Sequence, residues 1–355
     1  MRKRLFIPGP VEVRSDVLER MASPMIGHRT TEASDLQHRI ADKLRTIMYT
    51  TNEILLSTSS GSGLMEGAVR SCTAKRAAVF SIGAFGDRWF RMCTANGIPA
   101  DLFSSELGQP TTAEAVDNAL STGRYDLVTI THNETATGVA NSLDEFSPVF
   151  RRYPEVIVCV DAVSSLGGHR IETDRAGIDI CITSSQKCLG LPPGLALASV
   201  SDKAYQAAKK VKNRGLYFDY VELYEFVRDK NNQYPSTPSL SHMFALDYQL
   251  DRILEEGLER RFARHAAMAE TVRAWARERF ALYSNERYLS NTVTCVDNTR
   301  GIPFSRLSAG LGERGYAISD GYAALKGRTF RIAHMADATL DEVSVLLDEI
   351  DRIVG

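Results

Sequence analysis

The stretch IDICITSSQKCLGLPPG, residues 178–194, joins an apolar run to a single lysine and then to a loop rich in glycine and proline. Ile178, Ile180, Cys181 and Ile182 read as a buried strand, 178–183. The Gly190, Pro192, Pro193 and Gly194 cluster reads as a loop. Lys187 therefore falls just past a strand end, where an open α/β sheet forms its ligand crevice. A lone lysine beside a turn is most often an exposed charge. The sharper alternative is a reactive amine that forms a Schiff base.

Working outward, five further short apolar runs have strand length: 53–57 (EILLS), 77–82 (AAVFSI), 126–131 (DLVTIT), 156–160 (VIVCV) and 195–200 (LALASV). Helical patterns lie between them, near 63–74, 85–96, 112–121 and 143–152. Upstream, Leu36, Ile40, Leu44 and Ile47 form one helical stripe over 34–49. Strands alternating with helices predict an α/β domain with a mostly parallel sheet covered on both faces. After residue 200 the pattern changes. Segments 203–213 and 242–279 read as helices, and 290–296 (SNTVTCV) and 328–333 (RTFRIA) as strands. Thr339 with Glu342 forms a capping box before a last helix, 340–353. The expected organisation is an N-terminal arm (1–15), a large domain (16–256) and a small C-terminal α+β domain (257–355).

The bulk numbers exclude several classes. A chain of 355 residues with 44% hydrophobic and 24% charged content is ordinary for a globular protein. A formal charge of −2 gives no reason to expect nucleic acid or an anionic membrane as partner. No apolar run reaches membrane-span length. The basic start MRKRLFIPGP meets prolines and Glu12 too soon for a signal peptide, so a cytoplasmic protein is expected. The six cysteines contain no CxxC pair and read as small buried hydrophobes. The seven histidines show no HExxH spacing, and no metal is expected.

Four features fall at strand ends. SSGSGLMEGAV, 59–69, is a small-residue turn opening a helix, and its free N–H groups suit a phosphate. Its spacing is G-x-G-x-x-x-G, and the chain has no Gly-Lys dipeptide, so a P-loop is excluded. Asp161 ends the run VIVCVD; it either caps the next turn or holds a metal, a ribose or a protonated ring nitrogen. Lys187 ends the next strand, and in a parallel sheet both residues face one crevice. Phe85, in GAFGDRW (83–89), is placed to stack on a planar ring or to fill the core. A carboxylate for a pyridinium nitrogen, an amine for an imine and an anion site are together what pyridoxal 5′-phosphate requires.

With these residues in place, the sequence resembles the class V aminotransferases of fold type I, in the alanine–glyoxylate and serine–pyruvate branch. The matching segments are PGPVEV (8–13), GHRTTE (27–32), SGSGLMEGAV (60–69), GAFGDRW, THNETATGV (131–139), VDAVSSLGG (160–168), 177–194 and FRIAHM (330–335). The resemblance implies a large domain with a seven-stranded sheet, pyridoxal phosphate as cofactor and a homodimer. It implies Lys187 as the Schiff-base lysine and Asp161 on the pyridine nitrogen. Val163 would pack on the ring, Phe85 would stack on it and Thr135 would bond its phenolic oxygen. Ser60, Gly61, Ser62 and Gln186 would bind the phosphate, with Tyr234 and Thr237 of YPST reaching it from the neighbouring subunit. Arg331 would grip the substrate carboxylate, with Gly9 beside it.

The implied activity is ping-pong transfer of an amino group from a small amino acid, alanine or serine, to glyoxylate or pyruvate. Three alternatives stand beside it. A 2-aminoethylphosphonate transaminase would use a similar site. A cysteine desulfurase or β-lyase would need a mobile catalytic cysteine, whereas Cys295 lies in a strand-like run and Gln186 precedes the lysine. A non-enzymatic subunit of this fold would have no use for Lys187, Asp161 and Arg331 together.

Overall fold

The computed structural model describes residues 3–355. Seven strands form one sheet: β1 (Glu53–Ser57), β2 (Ala77–Ser81), β3 (Ala100–Ser104), β4 (Leu127–Thr131), β5 (Ile157–Asp161), β6 (Ile180–Ser184) and β7 (Ala196–Val200). Their order is β1-β7-β6-β5-β4-β2-β3. All neighbours are parallel except β7, which runs antiparallel to both β1 and β6. Strands β4, β5 and β6 are buried at every position, as their continuous apolar runs require when both sheet faces are covered.

Helix α1 (Thr31–Met48) buries Leu36, Ile40, Leu44 and Ile47 on one side of the sheet, in a cluster with Ile54, Val128 and Val160. Each such side chain contributes about 1.5–3 kcal/mol on burial. Helices α2 (Gly61–Cys72) and α3 (Ala84–Ala95) cover the other face, where Leu64, Met65 and Trp89 meet Leu55, Val79 and Ile182. Alternation of faces along each strand sends neighbouring residues into these two clusters.

Two long helices follow, α4 (Leu240–Glu256) and α5 (Leu258–Arg279). The expected single helical stretch 242–279 is broken at Gly257, whose φ of 82° lies outside the helical region. A four-stranded sheet completes the fold: β8 (Ala281–Leu282), β9 (Val293–Asp297), β10 (Ser319–Asp320) and β11 (Thr329–Ala333), in the order β8-β9-β11-β10. The last helix, α6 (Leu340–Val354), begins with the anticipated capping box: Thr339 accepts from the Glu342 N–H and the Glu342 side chain accepts from the Thr339 N–H. The N-terminal arm is anchored by Arg4–Leu5, which pairs in parallel with Tyr316–Ala317.

Several elements lie outside the sequence expectation, the helix Phe304–Glu313 among them. Strand β3 is a half-exposed edge strand, so its apolar pattern is weak. The helices Ser15–Met21 and Tyr220–Arg228 are short and sit among loops. The helix expected over 203–213 stops at Ala208.

Candidate active site

The C-terminal edge of the sheet gathers the residues singled out in the sequence. Asp161 is the last residue of β5, in register with Thr131 of β4 and Ile182 of β6. Lys187 stands three residues beyond β6, in the turn that follows it. Gly61 opens α2 after β1, Phe85 opens α3 after β2, and Thr135 follows β4. Parallel strands place all five at one crevice, as the topology rule for open α/β sheets requires.

Lys187 is held from the side opposite its strand. Its Nζ donates to the Pro8 carbonyl of the N-terminal arm. Gly9, with φ +88°, lies so close that a Cβ there would be 2.6–2.8 Å from Lys187 Cδ, Cε and Nζ. Burial pulls the Lys187 ammonium down to about 8, with Arg331 and Arg88 pushing the same way and Cys188 and Asp161 opposing. The shift raises the share of neutral, nucleophilic amine near neutral pH above that of an ordinary lysine.

Asp161 is buried, and its Oδ1 accepts from the Val163 N–H at 2.9 Å. It forms no ion pair among the described residues, and burial pushes its carboxyl up to about 6. A cationic partner at this position would reverse that shift, since opposite charge favours the carboxylate.

The start of α2 is an open anion site. The N-cap Ser60 is exposed, and its side chain makes no capping bond. The first N–H groups of the helix thus point outward with the positive end of the dipole. Gly61 is needed because Val163 presses on it: a Cβ there would be 2.6 Å from Val163 Cγ2. Around it, Ser184 Oγ and Gln186 Oε1 are buried without a hydrogen-bond partner. Arg88 Nη1 donates to Ser62 Oγ at 3.1 Å and brings a cation to the same corner. Orphaned polar atoms, an uncapped helix start and a half-buried arginine fit a phosphate.

Arg331 sits on β11, between β9 and β10, and is 8% exposed. It is therefore not a solvent-facing residue of an edge strand. Its Nε donates to the Asp320 carbonyl at 2.9 Å and its Nη1 to the Thr135 carbonyl at 3.2 Å. Neither acceptor is an acid, so the charge of the guanidinium is left for something else. Phe85 stacks on Tyr322 at 5.7 Å and 22°, with the Arg88 guanidinium 4.8 Å from its ring centre and Arg331 5.4 Å from that of Tyr322.

Tyr234 is packed into its own chain. It is buried, its hydroxyl accepts from the Thr58 N–H at 3.4 Å, and Arg29 grips the carbonyls of Tyr234 and Pro235. Thr237, three residues on, is exposed.

Three residues that sequence reasoning left unassigned belong to this region. Glu134 lies inside THNETATGV, and its signal was an acid in an otherwise small, uncharged loop. Arg88 sat one turn after Phe85 in GAFGDRW. Tyr322 carried no signal, because only folding brings its loop to Phe85.

A buried amine and a buried carboxylate on adjacent strand ends, beside a helix start fit for phosphate, define a fold type I transferase. The fold agrees: alanine–glyoxylate aminotransferase from Nostoc sp. superposes with a TM-score of 0.94 at 24% identity, covering 100% of this chain and 96% of that one. The chain belongs to the aminotransferase class-V family, whose model matches residues 88–346. It is 38% identical to an uncharacterized aminotransferase of Methanocaldococcus jannaschii, over 98% of this chain and 91% of that protein. It is 33% identical to the soluble hydrogenase small subunit of a Synechococcus species (93% and 87%). It is 31% identical to serine–glyoxylate aminotransferase of Arabidopsis thaliana (95% and 86%).

Proposed function

We propose that this protein is a pyridoxal phosphate-dependent aminotransferase that moves the amino group of a small amino acid, serine or alanine, to a small 2-oxo acid such as glyoxylate. The observation that carries the reading is the pairing of Lys187 with Asp161 at one sheet edge, with the lysine's ammonium pulled down to about 8. Relatives named for serine, alanine or aspartate with glyoxylate support the substrate class.

Bound pyridoxal phosphate supplies an electron sink for the α-carbanion of an amino acid. The chain's own residues do the rest. Lys187 would hold the cofactor, and its amine would carry the α-proton of the amino acid. Asp161 keeps a cation on the ring nitrogen. Val163 and Phe85 would pack on the ring, and Thr135 would bond its phenolic oxygen. Ser60, Gly61, Ser62 and Gln186 hold the phosphate. Arg331 offers its outer N–H groups as a fork for the substrate carboxylate, which fixes the Cα–H bond relative to Lys187. Gly9 leaves room for the lysine to swing.

A homodimer completes this reading, with Thr237, which is exposed, and Tyr234, which would have to leave its buried place, reaching the phosphate of the neighbouring subunit. The proposed organisation is the arm 1–15, the cofactor-binding domain 16–256 and the small domain 257–355. The desulfurase alternative is disfavoured by Cys295, which is buried, has its thiol pushed up to about 12, and points Sγ at the Ala136 carbonyl. A non-enzymatic subunit of this fold would have no use for Lys187, Asp161 and Arg331 together.

The test is a single-turnover donor screen. The protein loaded with pyridoxal phosphate is mixed with serine, alanine, aspartate and 2-aminoethylphosphonate, and the loss of cofactor absorbance is followed. Conversion with serine or alanine is expected. No conversion with any donor would return the non-enzymatic reading.

A further inference from the structure

Glu134 is fully buried and takes no part in the chemistry described above. It forms no ion pair among the described residues. Its carboxylate is held by backbone alone: Oε2 accepts from the N–H groups of Phe85 (2.8 Å) and Gly86 (3.3 Å), and Oε1 from that of Ala136 (2.9 Å). A buried carboxylate costs several kcal/mol unless such bonds offset it.

The partners of the two oxygens belong to different parts of the site. Phe85 and Gly86 lie in the first turn of α3, whose N-cap is Gly83 and has no side chain to offer. Glu134 thus caps this helix from another strand's loop, where the dipole favours a negative charge. Gly83 makes the reach possible: a Cβ at that position would lie 2.7 Å from Glu134 Cγ. The other oxygen ties down the turn Glu134–Gly138, closed by the Gly138 N–H on the Glu134 carbonyl at 2.8 Å. Inside that turn, the Thr135 carbonyl is one of the two acceptors that seat Arg331. One side chain therefore fixes the backbone under Phe85 and the carbonyl under Arg331.

We infer that Glu134 is a positioning residue that sets the spacing between the aromatic face of Phe85 and the guanidinium of Arg331. On the proposed function, on which this rests, that is the spacing between the seat of the cofactor ring and the seat of the substrate carboxylate. Burial pushes the Glu134 carboxyl up to about 7, against the opposite pull of its three backbone N–H partners.

The perturbation is Glu134→Gln. An amide has one acceptor oxygen, so either the α3 turn or the Thr135 turn loses its partner. The control is Thr339→Ala, which removes the α6 capping box and leaves every hydrogen bond of Glu134 and Arg331 in place. Three quantities are measured for each: the thermal midpoint, the visible circular dichroism of bound pyridoxal phosphate, and KM for the amino donor. Glu134→Gln is expected to raise KM about tenfold and to alter the dichroism, while Thr339→Ala changes neither at a comparable loss of thermal midpoint. Unchanged KM and dichroism in Glu134→Gln, or equal changes in Thr339→Ala, would overturn the inference. If Glu134→Gln does not fold, Gly83→Ala pushes the same carboxylate from the other side and must show the same signature. A wild-type protein that binds no pyridoxal phosphate would remove the proposed function as well. Normal wild-type binding with a silent Glu134→Gln removes this inference alone.

Discussion

Replacing Arg331 by lysine keeps a positive charge and removes the fork. In the structure, Nε and Nη1 each donate to a carbonyl, of Asp320 and Thr135, at 2.9 and 3.2 Å. These two bonds orient the remaining N–H groups outward. A lysine ammonium cannot satisfy both carbonyls and still offer two parallel donors to a carboxylate. A charge-assisted hydrogen bond contributes about 1.5–3 kcal/mol. Every 1.4 kcal/mol is about a tenfold change, so losing one such bond predicts a fall of about ten- to a hundredfold. We expect kcat/KM for both the amino acid and the oxo acid to fall by at least about tenfold. Pyridoxal phosphate binding should stay normal, because Arg331 makes no hydrogen bond to α2 or to the Lys187 turn. The assay compares alanine with an amine of similar size that lacks the carboxylate. The arginine reading predicts a loss for alanine only. Equal loss for both would mean that Arg331 supports the fold and does not contact substrate.

Two other expectations follow from the geometry around Lys187 and from the buried titratable groups. Gly9→Ala places a methyl within 2.6–2.8 Å of the Lys187 side chain at a φ of +88°, and such a conformation costs a non-glycine residue about 1–2 kcal/mol; turnover should fall while the thermal midpoint drops only slightly, and unchanged turnover would show that the arm leaves the lysine free. Below pH 6 the protein should lose stability steeply, because burial holds His132 down to about 4, His334 to about 3, and His169 and His265 well below their ordinary value. Their folded-state values are depressed, so the stability they confer is full above about 6.5 and disappears as pH falls toward 3–4, at up to about 1.4 kcal/mol per pH unit for each. Asp161 and Glu134 act in the opposite sense, their carboxyls raised to about 6 and 7, but two groups do not outweigh four over this range. Denaturant midpoints measured at pH 7 and pH 5 check the sign, and equal midpoints would contradict it.

Much of the large sheet was legible because its strands are unbroken apolar runs with turn residues at both ends. The run ending in Asp161 and the run before Lys187 each predicted one residue at a crevice, and parallel register brought the two together. What the sequence hid were contacts made by backbone. Nothing local marks Pro8 as the acceptor for Lys187, or Thr135 as the seat of Arg331, since every residue has a carbonyl. Strand β3 escaped because an edge strand carries only half of the usual pattern. Gly257 was read through because one glycine in a 38-residue helical stretch is tolerated by periodicity, whereas its φ of 82° ends one helix and starts another. Glu134 escaped because its three partners are main-chain N–H groups, two from a helix start and one from its own turn.

Reductive trapping shows whether Lys187 carries the cofactor. The protein is incubated with pyridoxal phosphate, reduced with borohydride, digested and mapped by mass spectrometry. The mass of the reduced cofactor is expected on the peptide containing Lys187, and it should vanish in Lys187→Ala even where the phosphate corner at α2 still binds pyridoxal phosphate. Label on another lysine, or equal labelling in Lys187→Ala, would contradict the account.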